Sequence, residues 1–193
     1  MFITIYKLDI ENPLICKALT DVVFMHRQVQ KMFDAPRCEH QVLWYTESEY
    51  LMIKSDIAPV YEGIFGSGET HDVSEMMDAW RNGDSFRFRI RTSPSRSLHG
   101  KLHYRKTVEE RKEWISRQFL KHGARVVICK ETSKTNHILT GKENIKDGGN
   151  SSFTSWDYSG VLEIEDVESF KELYRNGIGS EKAYGSGMLV LSK

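Results

Sequence analysis

Cysteine is scarce in this chain: Cys16, Cys38 and Cys129 are the three in 193 residues, an odd number with no CxxC pair. That excludes a disulfide framework and argues against a cysteine-based zinc site, and it suits a reducing compartment. No run of eighteen apolar residues occurs, and the opening stretch MFITIYKLDIENP lacks the basic start of a signal peptide and reads as a strand. A soluble, cytoplasmic protein without membrane association is expected, in keeping with a mean hydropathy of -0.48. Several catalytic signatures are missing as well. There is no HExxH, no DxD or paired-carboxylate motif, no GxSxG and no GK[ST], and no residue-level repeat. Metal, serine or cysteine nucleophile and P-loop chemistries lose their usual support, which leaves metal-free acid-base chemistry. What is present is core material: 39% hydrophobic residues, with 8 Tyr, 9 Phe and 4 Trp, enough for a folded globular chain of one large or two small domains.

Net charge is also absent, with 27 basic and 27 acidic residues, but the balance is local. Residues 1–83 sum to -6, residues 84–146 to +10 and residues 147–193 to -4. The middle third therefore carries a positive field that the average conceals, either a nucleic-acid surface or an ordinary solvated face.

Residues 2–10 predict a first strand, with Asn12-Pro13 starting a helical stretch to Phe33 in two pieces, the second capped by Asp21. Strands at 41–47 and 50–55 follow, then a short helix capped by Asp72, then SFRFRIRT. There Phe86, Phe88 and Ile90 alternate with Arg87, Arg89 and Arg91, a half-buried strand with a cationic outer face. The order β-α-β-β-α-β suggests a ferredoxin-like unit ending near residue 92. A second such unit is expected from a strand near 99–104, a helix from the Thr107/Glu110 capping box to Gly123, the strand ARVVICK, a polar stretch over 131–156, the strand YSGVLEIE, a helix capped by Asp166 and the terminal strand GMLVLS. In the polar stretch, Gly141 and Gly148-Gly149 mark expected turns.

Three groups of residues carry possible chemistry. On the second helix Val23, His26 and Gln30 form a stripe beside the apolar face, with Arg27 and Lys31 next to it. The arrangement reads either as an edge histidine covering the core beside solvated cations or as a proton-transfer group facing an anionic substrate. From Asp84 to Lys106 the chain interleaves Arg87, Arg89, Arg91, Arg96, Lys101, Arg105 and Lys106 with Phe86, Phe88, His99, His103 and Tyr104. Cations with aromatics suit phosphate pairing and base stacking in RNA. Lys130, Lys134, Lys142 and Lys146 extend the basic run, as a hairpin against a nucleic acid or as a loop. The segment NGIGSEKAYGSGML sets Gly177, Gly179, Gly185 and Gly187 around Lys182. It runs from helix to strand, the reverse of a dinucleotide fingerprint, and reads as a close backbone approach to RNA or another chain, or as a helix cap and tight turn.

FMHRQVQKMF, FRFRIRTSPSRSLHGK, EERKEWISRQFLKHG and GIGSEKAYGSGMLVL together, across essentially the whole chain, resemble the CasE-type CRISPR repeat endoribonucleases, the pre-crRNA processing subunit of type I-E Cascade. The resemblance implies an α+β protein of two tandem ferredoxin-like, RRM-related units with antiparallel sheets. Residues 1–92 would form the first, with the catalytic helix, and residues 93–193 the second, with the basic segment and glycine-rich loop. It further implies cleavage of the CRISPR repeat stem-loop at the 3′ base of the stem, without metal or cofactor, leaving 2′,3′-cyclic phosphate and 5′-hydroxyl ends. Partners would be pre-crRNA, mature crRNA and other Cascade subunits. The family's catalytic histidine falls on His26. Arg27 and Lys31 would contact phosphates near the cut, and Arg87, Arg89, Arg91, Arg96, Lys101, Arg105, Lys106, Lys142 and Lys146 would help hold the RNA with the loop around Lys182. One position departs: Val23 stands where many members carry tyrosine, so His26 acts with cations such as Lys31, or a tyrosine from elsewhere substitutes, or activity is reduced. A non-catalytic RNA-binding subunit is the alternative function, and a module docking an acidic protein a third.

Overall fold

The computed structural model describes residues 1–36, 39–98, 101–139 and 151–193, with 96–98 and 101–102 described in backbone only. Strand β1 (Phe2–Lys7) leads to two short helices that the local chemistry starts and stops. Asn12 accepts from the Leu14 N–H with Pro13 in the first turn of α1 (Pro13–Thr20), and Asp21 accepts from the Val23 and Phe24 N–H groups to open α2 (Val22–Gln30). Strands β2 (Val42–Glu47) and β3 (Tyr50–Ser55) form a hairpin that turns at Ser48, which takes φ 52°. Strand β4 (Glu69–Asp72) completes an antiparallel sheet of order β2-β3-β1-β4. Met25, Val29, Met32, Leu51 and Ile53, all at most 1% exposed, fill the space between this sheet and the helix pair.

After the five-residue helix α3 (Ser74–Asp78), strand β5 (Ser85–Thr92) begins the second sheet. A separate ribbon of β6 (Ser95–Leu98) and β7 (Lys101–Tyr104) precedes α4 (Val108–Lys121), whose Thr107/Glu110 capping box is formed as the sequence predicts. Two long strands, β8 (Ala124–Leu139) and β9 (Ser151–Ile164), then α5 (Val167–Asn176) capped by Asp166, and β10 (Leu189–Ser192) follow. Their sheet order is β10-β5-β9-β8. In both sheets the first and third strands of the unit lie at the centre and the second and fourth at the edges, so the chain carries two tandem ferredoxin-like folds.

Several expectations are corrected here. The cationic strand at 85–92 does not close the first unit; β4 does, and the chain changes sheets between Asp72 and Ser85. The deciding factor is the core that takes Phe86, Phe88 and Ile90, which pack with Trp80, Trp114, Ile115, Phe119 and Phe170 of the second unit. No α-helix joins β3 to β4 in the first unit, only a single 3-10 turn at Gly63–Phe65. The helix expected there follows β4 and its N-cap is Val73, not Asp72, although Asp72 one residue earlier accepts from the N–H of Ser74, the first helical residue. The strand expected near 99–104 exists as β7 but, among the described residues, pairs only with β6, and β5 supplies the first strand of the second unit. Much of the polar stretch after Glu131 is β-hairpin, and its expected glycine turns lie outside the described residues.

The two sheets meet face to face. Leu43, Tyr45 and Met52 of the first pack on Met188 and Val190 of the second. Beside them Lys54 of β3, 1% exposed, donates from Nζ to the carbonyls of Tyr174 (2.9 Å) and Leu189 (2.8 Å) and lies 3.2 Å from the Tyr174 ring centre. Burial pushes its pKa well below the usual lysine value. Lys54→Met keeps the stem and removes the donors from two buried carbonyls, so it is expected to lower stability by about 2–4 kcal/mol in urea unfolding. A loss under about 0.5 kcal/mol would show that the lysine does not join the sheets.

Candidate functional site

Helix α2 turns Val22, Met25 and Val29 inward, at 9%, 1% and 0% exposure, which leaves His26 at the edge of the core and Arg27 and Lys31 exposed. Val23 is itself part of the core, at 8% exposure. The His26 ring meets a residue that spacing along the helix could not supply. Tyr184, from the glycine-rich segment, packs edge-on to the imidazole with ring centres 5.9 Å apart and planes at 71°. Phe153 of β9 lies behind Tyr184 at 5.9 Å, and His137 of β8 stacks on Phe153 at 4.5 Å. Four rings thus run from α2 through the terminal loop to the long hairpin, and Leu139 at the end of β8 and Phe153 near the start of β9 are buried in the core of the first unit.

The glycine-rich loop is shaped by the protein's own packing. Gly185 has φ 78°, and a Cβ there would come within 2.4 Å of the Trp44 ring, while the Trp44 Nε1–H donates to the Ala183 carbonyl at 3.1 Å. Gly177 ends α5 by donating to the Leu173 carbonyl and faces the Gly187 carbonyl so closely that a Cβ would lie 2.4 Å from it. Gly179 is exposed, and Lys182 is half-buried, with its pKa lowered by that burial. Of the two readings of this loop, cap and tight turn is what the local geometry displays.

The cationic strand divides by position. Arg87 is exposed and, among the described residues, makes no ion pair. Arg89 pairs with Glu47 of the opposite sheet. Arg91, 17% exposed, binds Asp157 through Nε at 2.9 Å and Nη2 at 3.4 Å and reaches Thr46 across the sheets. Arg105 is half-buried and Lys106 exposed. Arg96 and Lys101 are placed by backbone on the β6–β7 ribbon, and Lys142 and Lys146 lie outside the described residues. The structure therefore brings His26 and the glycine-rich loop together and sets Arg27 and Lys31 beside them, while Arg89 and Arg91 stand at the sheet-to-sheet contact. Tyr184, Trp44 and Phe153 escaped the sequence reading. Tyr184 lies inside the segment chosen for its glycines, so its aromatic ring was the available signal. Cys129 makes a poor nucleophile, since burial pushes its thiol up to about 11. Among the described residues no group of three or more His, Cys, Asp or Glu is placed to hold a metal ion, and no helix is long and apolar enough to cross a membrane.

A tandem ferredoxin-like protein with an edge histidine of the first unit packed against a tyrosine of the second is the class that fold and site define. The family model for CRISPR associated protein matches residues 1–193, and the chain belongs to that family. Among solved structures it is similar to the CRISPR endoribonuclease Cse3 bound to a 19-nucleotide RNA, at 22% identity and TM-score 0.87 over 100% of both chains. It is also similar to the CRISPR-associated protein Cas6e from Escherichia coli, at 20% identity and TM-score 0.74 over 100% of this chain and 99% of that one. A chain of E. coli Cascade bound to a PAM-containing double-stranded DNA target matches at 17% identity and TM-score 0.58 over 100% of this chain and 99% of that one. No curated protein sequence matches the chain.

The ring row also has a pH response. Burial, with Arg91 in the same direction and Asp157 opposing, pushes the His137 imidazole down to about 4. An unfolded histidine titrates near about 6.5, so below that value the unfolded chain binds a proton that the folded one refuses. Stability is expected to fall as pH drops from about 6.5 toward about 4. His137→Phe, which keeps a ring on Phe153, should flatten that slope in urea unfolding at stepped pH, and an unchanged slope would place the titration elsewhere.

Proposed function

We propose that this chain is a metal-independent endoribonuclease that binds the stem-loop of a CRISPR repeat in pre-crRNA and cuts at the 3′ base of the stem. The observation that carries the reading is the placement of His26, at the rim of the core, beside the exposed cations Arg27 and Lys31 and walled by rings from the second unit. The reaction such a site suits is transesterification. The 2′-hydroxyl oxygen attacks the adjacent phosphorus and loses its proton, the bond from phosphorus to the 5′-oxygen breaks, and that oxygen takes up a proton. A 2′,3′-cyclic phosphate and a 5′-hydroxyl result, with no water consumed. His26 exchanges a proton with one of these two oxygens, and Arg27 and Lys31 hold the phosphate. Arg87, Lys106 and the ribbon residues Arg96 and Lys101 bind the RNA backbone further out, with Arg105, Lys142 and Lys146 on the same basic segment. Arg89 and Arg91 join them only where phosphate displaces a carboxylate partner. The Lys182 loop contributes through Tyr184, which lies against His26. The similar structures include an RNA-bound endoribonuclease and a chain of a Cascade complex, which supports repeat RNA and other Cascade subunits as partners, and the cytoplasm is the location we assign to them. We place the division between the two units in the segment between Asp72 and Ser85.

A second reading has its own observation. Val23 is buried in the core where the resemblance implies a tyrosine, which suits an RNA-binding subunit that does not cut. Cleavage of the host's repeat RNA in EDTA separates the two. One mapped cut ending in a cyclic phosphate is expected, slowed about 10²–10⁴-fold in His26→Ala. Tight binding without cutting by wild type would establish the second reading. RNA affinity should also fall with salt by about 0.7–0.9 log units per phosphate contact per log unit of salt, and Arg87→Ala should reduce the slope by about one contact. An unchanged slope would remove Arg87 from the RNA surface.

A further inference from the structure

Beside His26 stands one aromatic side chain that the reaction above leaves without a task. Tyr184 stands edge-on to the His26 ring, and the loop around it is built to keep it there. Trp44 of β2 donates to the carbonyl of Ala183, the residue before it, and fills the space beside Gly185, the residue after it. The Tyr184 N–H donates to the Glu181 carbonyl at 2.9 Å, closing a turn entered at Glu181 with φ 61° and left at Gly185 with φ 78°. Two positive-φ residues within five are what let so short a segment double back and aim a ring at α2. Behind the ring, Phe153 is 3% exposed and is itself backed by His137. Tyr184 is thus held by the first sheet at its backbone and packed by the hairpin through Phe153.

His26 needs such a neighbour. An imidazole at a helix edge swings about two side-chain torsions, and Val23, one turn earlier on the same stripe, is turned into the core and presents no ring to it. We propose that Tyr184 is the positioning residue for His26, its ring fixing the orientation in which the imidazole meets the scissile phosphodiester. This inference rests on the reading of His26 as the proton-transfer group. It assigns the glycine-rich loop a task beyond its turn: Gly185 is small so that Trp44 can pin the loop, and the loop carries the ring that Val23 does not supply. A displacement of about 1 Å in a catalytic group is enough to cost about 10²-fold in rate, so orientation alone is a sufficient role.

The test compares Tyr184→Phe and Tyr184→Ala with wild type in the full chain. Single-turnover cleavage of repeat RNA at saturating protein, the RNA Kd, and the NMR signals of the His26 ring protons are measured side by side. Tyr184→Phe keeps the ring and is expected to cut within about 3-fold of wild type, whereas Tyr184→Ala is expected to lose about 10–100-fold in rate with Kd within about 3-fold. The His26 ring signals, displaced by the neighbouring ring in wild type and Tyr184→Phe, should return to ordinary positions in Tyr184→Ala. Full-rate cutting by Tyr184→Ala overturns the proposal. So does an equal loss in both variants, which would put the chemistry in the phenol hydroxyl. If wild type cuts no repeat RNA, the nuclease reading fails and the NMR comparison decides alone: signals restored by Tyr184→Ala sustain positioning, and unmoved signals overturn it.

Discussion

An amine sealed between two β-sheets must find acceptors, and Lys54 finds them in the Tyr174 and Leu189 carbonyls and the face of the Tyr174 ring. The two carbonyls stand near the end of α5 and the start of β10, so one side chain of the first sheet registers both elements of the second. Trp44, Gln41 and Arg91 add polar contacts along the same seam, each reaching from one unit into the other. The ring contacts around His26 depend on that registration. Helix α2 is carried by the first sheet, while the terminal loop and the long hairpin are carried by the second. A shift between sheets of an ångström or two would leave His26 without Tyr184 and Phe153 without its pocket in the first core.

The same seam redistributes charge. The basic middle third looks like a single cationic surface, but an exposed pair such as Arg89–Glu47 contributes little, and a phosphate can replace the carboxylate at small cost. Arg91 and Asp157, 17% and 14% exposed, are a different case, because removing either leaves the other partly buried without its partner. Arg111 and Glu131 form another such pair at 2.7 Å, under the Trp156 ring. Guanidiniums on one segment therefore divide into those that hold the protein together and those available to an anion. Position relative to the seam makes the division, and residue type does not.

How much of this was legible depends on the range of the interaction involved. The break between α1 and α2 at Asp21, the capping box at Thr107 and the inward face of α2 were all readable, because caps and helical periodicity are settled within a few residues. The alternation in SFRFRIRT correctly announced a strand with one buried face. Which sheet it enters was not readable, since Phe86, Phe88 and Ile90 would satisfy any apolar face and only the core around Trp114 and Phe119 selects them. The missing helix between β3 and β4 was misassigned for a related reason. The signal at Asp72 is real, but it starts a helix after the strand, and strand order along the chain does not reveal that.

The sequence alone determined that this is an α+β chain with two runs of ferredoxin-like elements, a core-edge histidine flanked by cations, and a basic central segment. Those properties follow from local periodicity and composition, which act before the chain has a global shape. The tertiary structure alone decided the owner of the cationic strand, the arginines drawn into the seam, and the ring that faces His26. Tyr184 is 158 positions from His26 in sequence, and their meeting is fixed by how Lys54 and Trp44 join two sheets, an outcome of long-range packing that no spacing along the chain encodes.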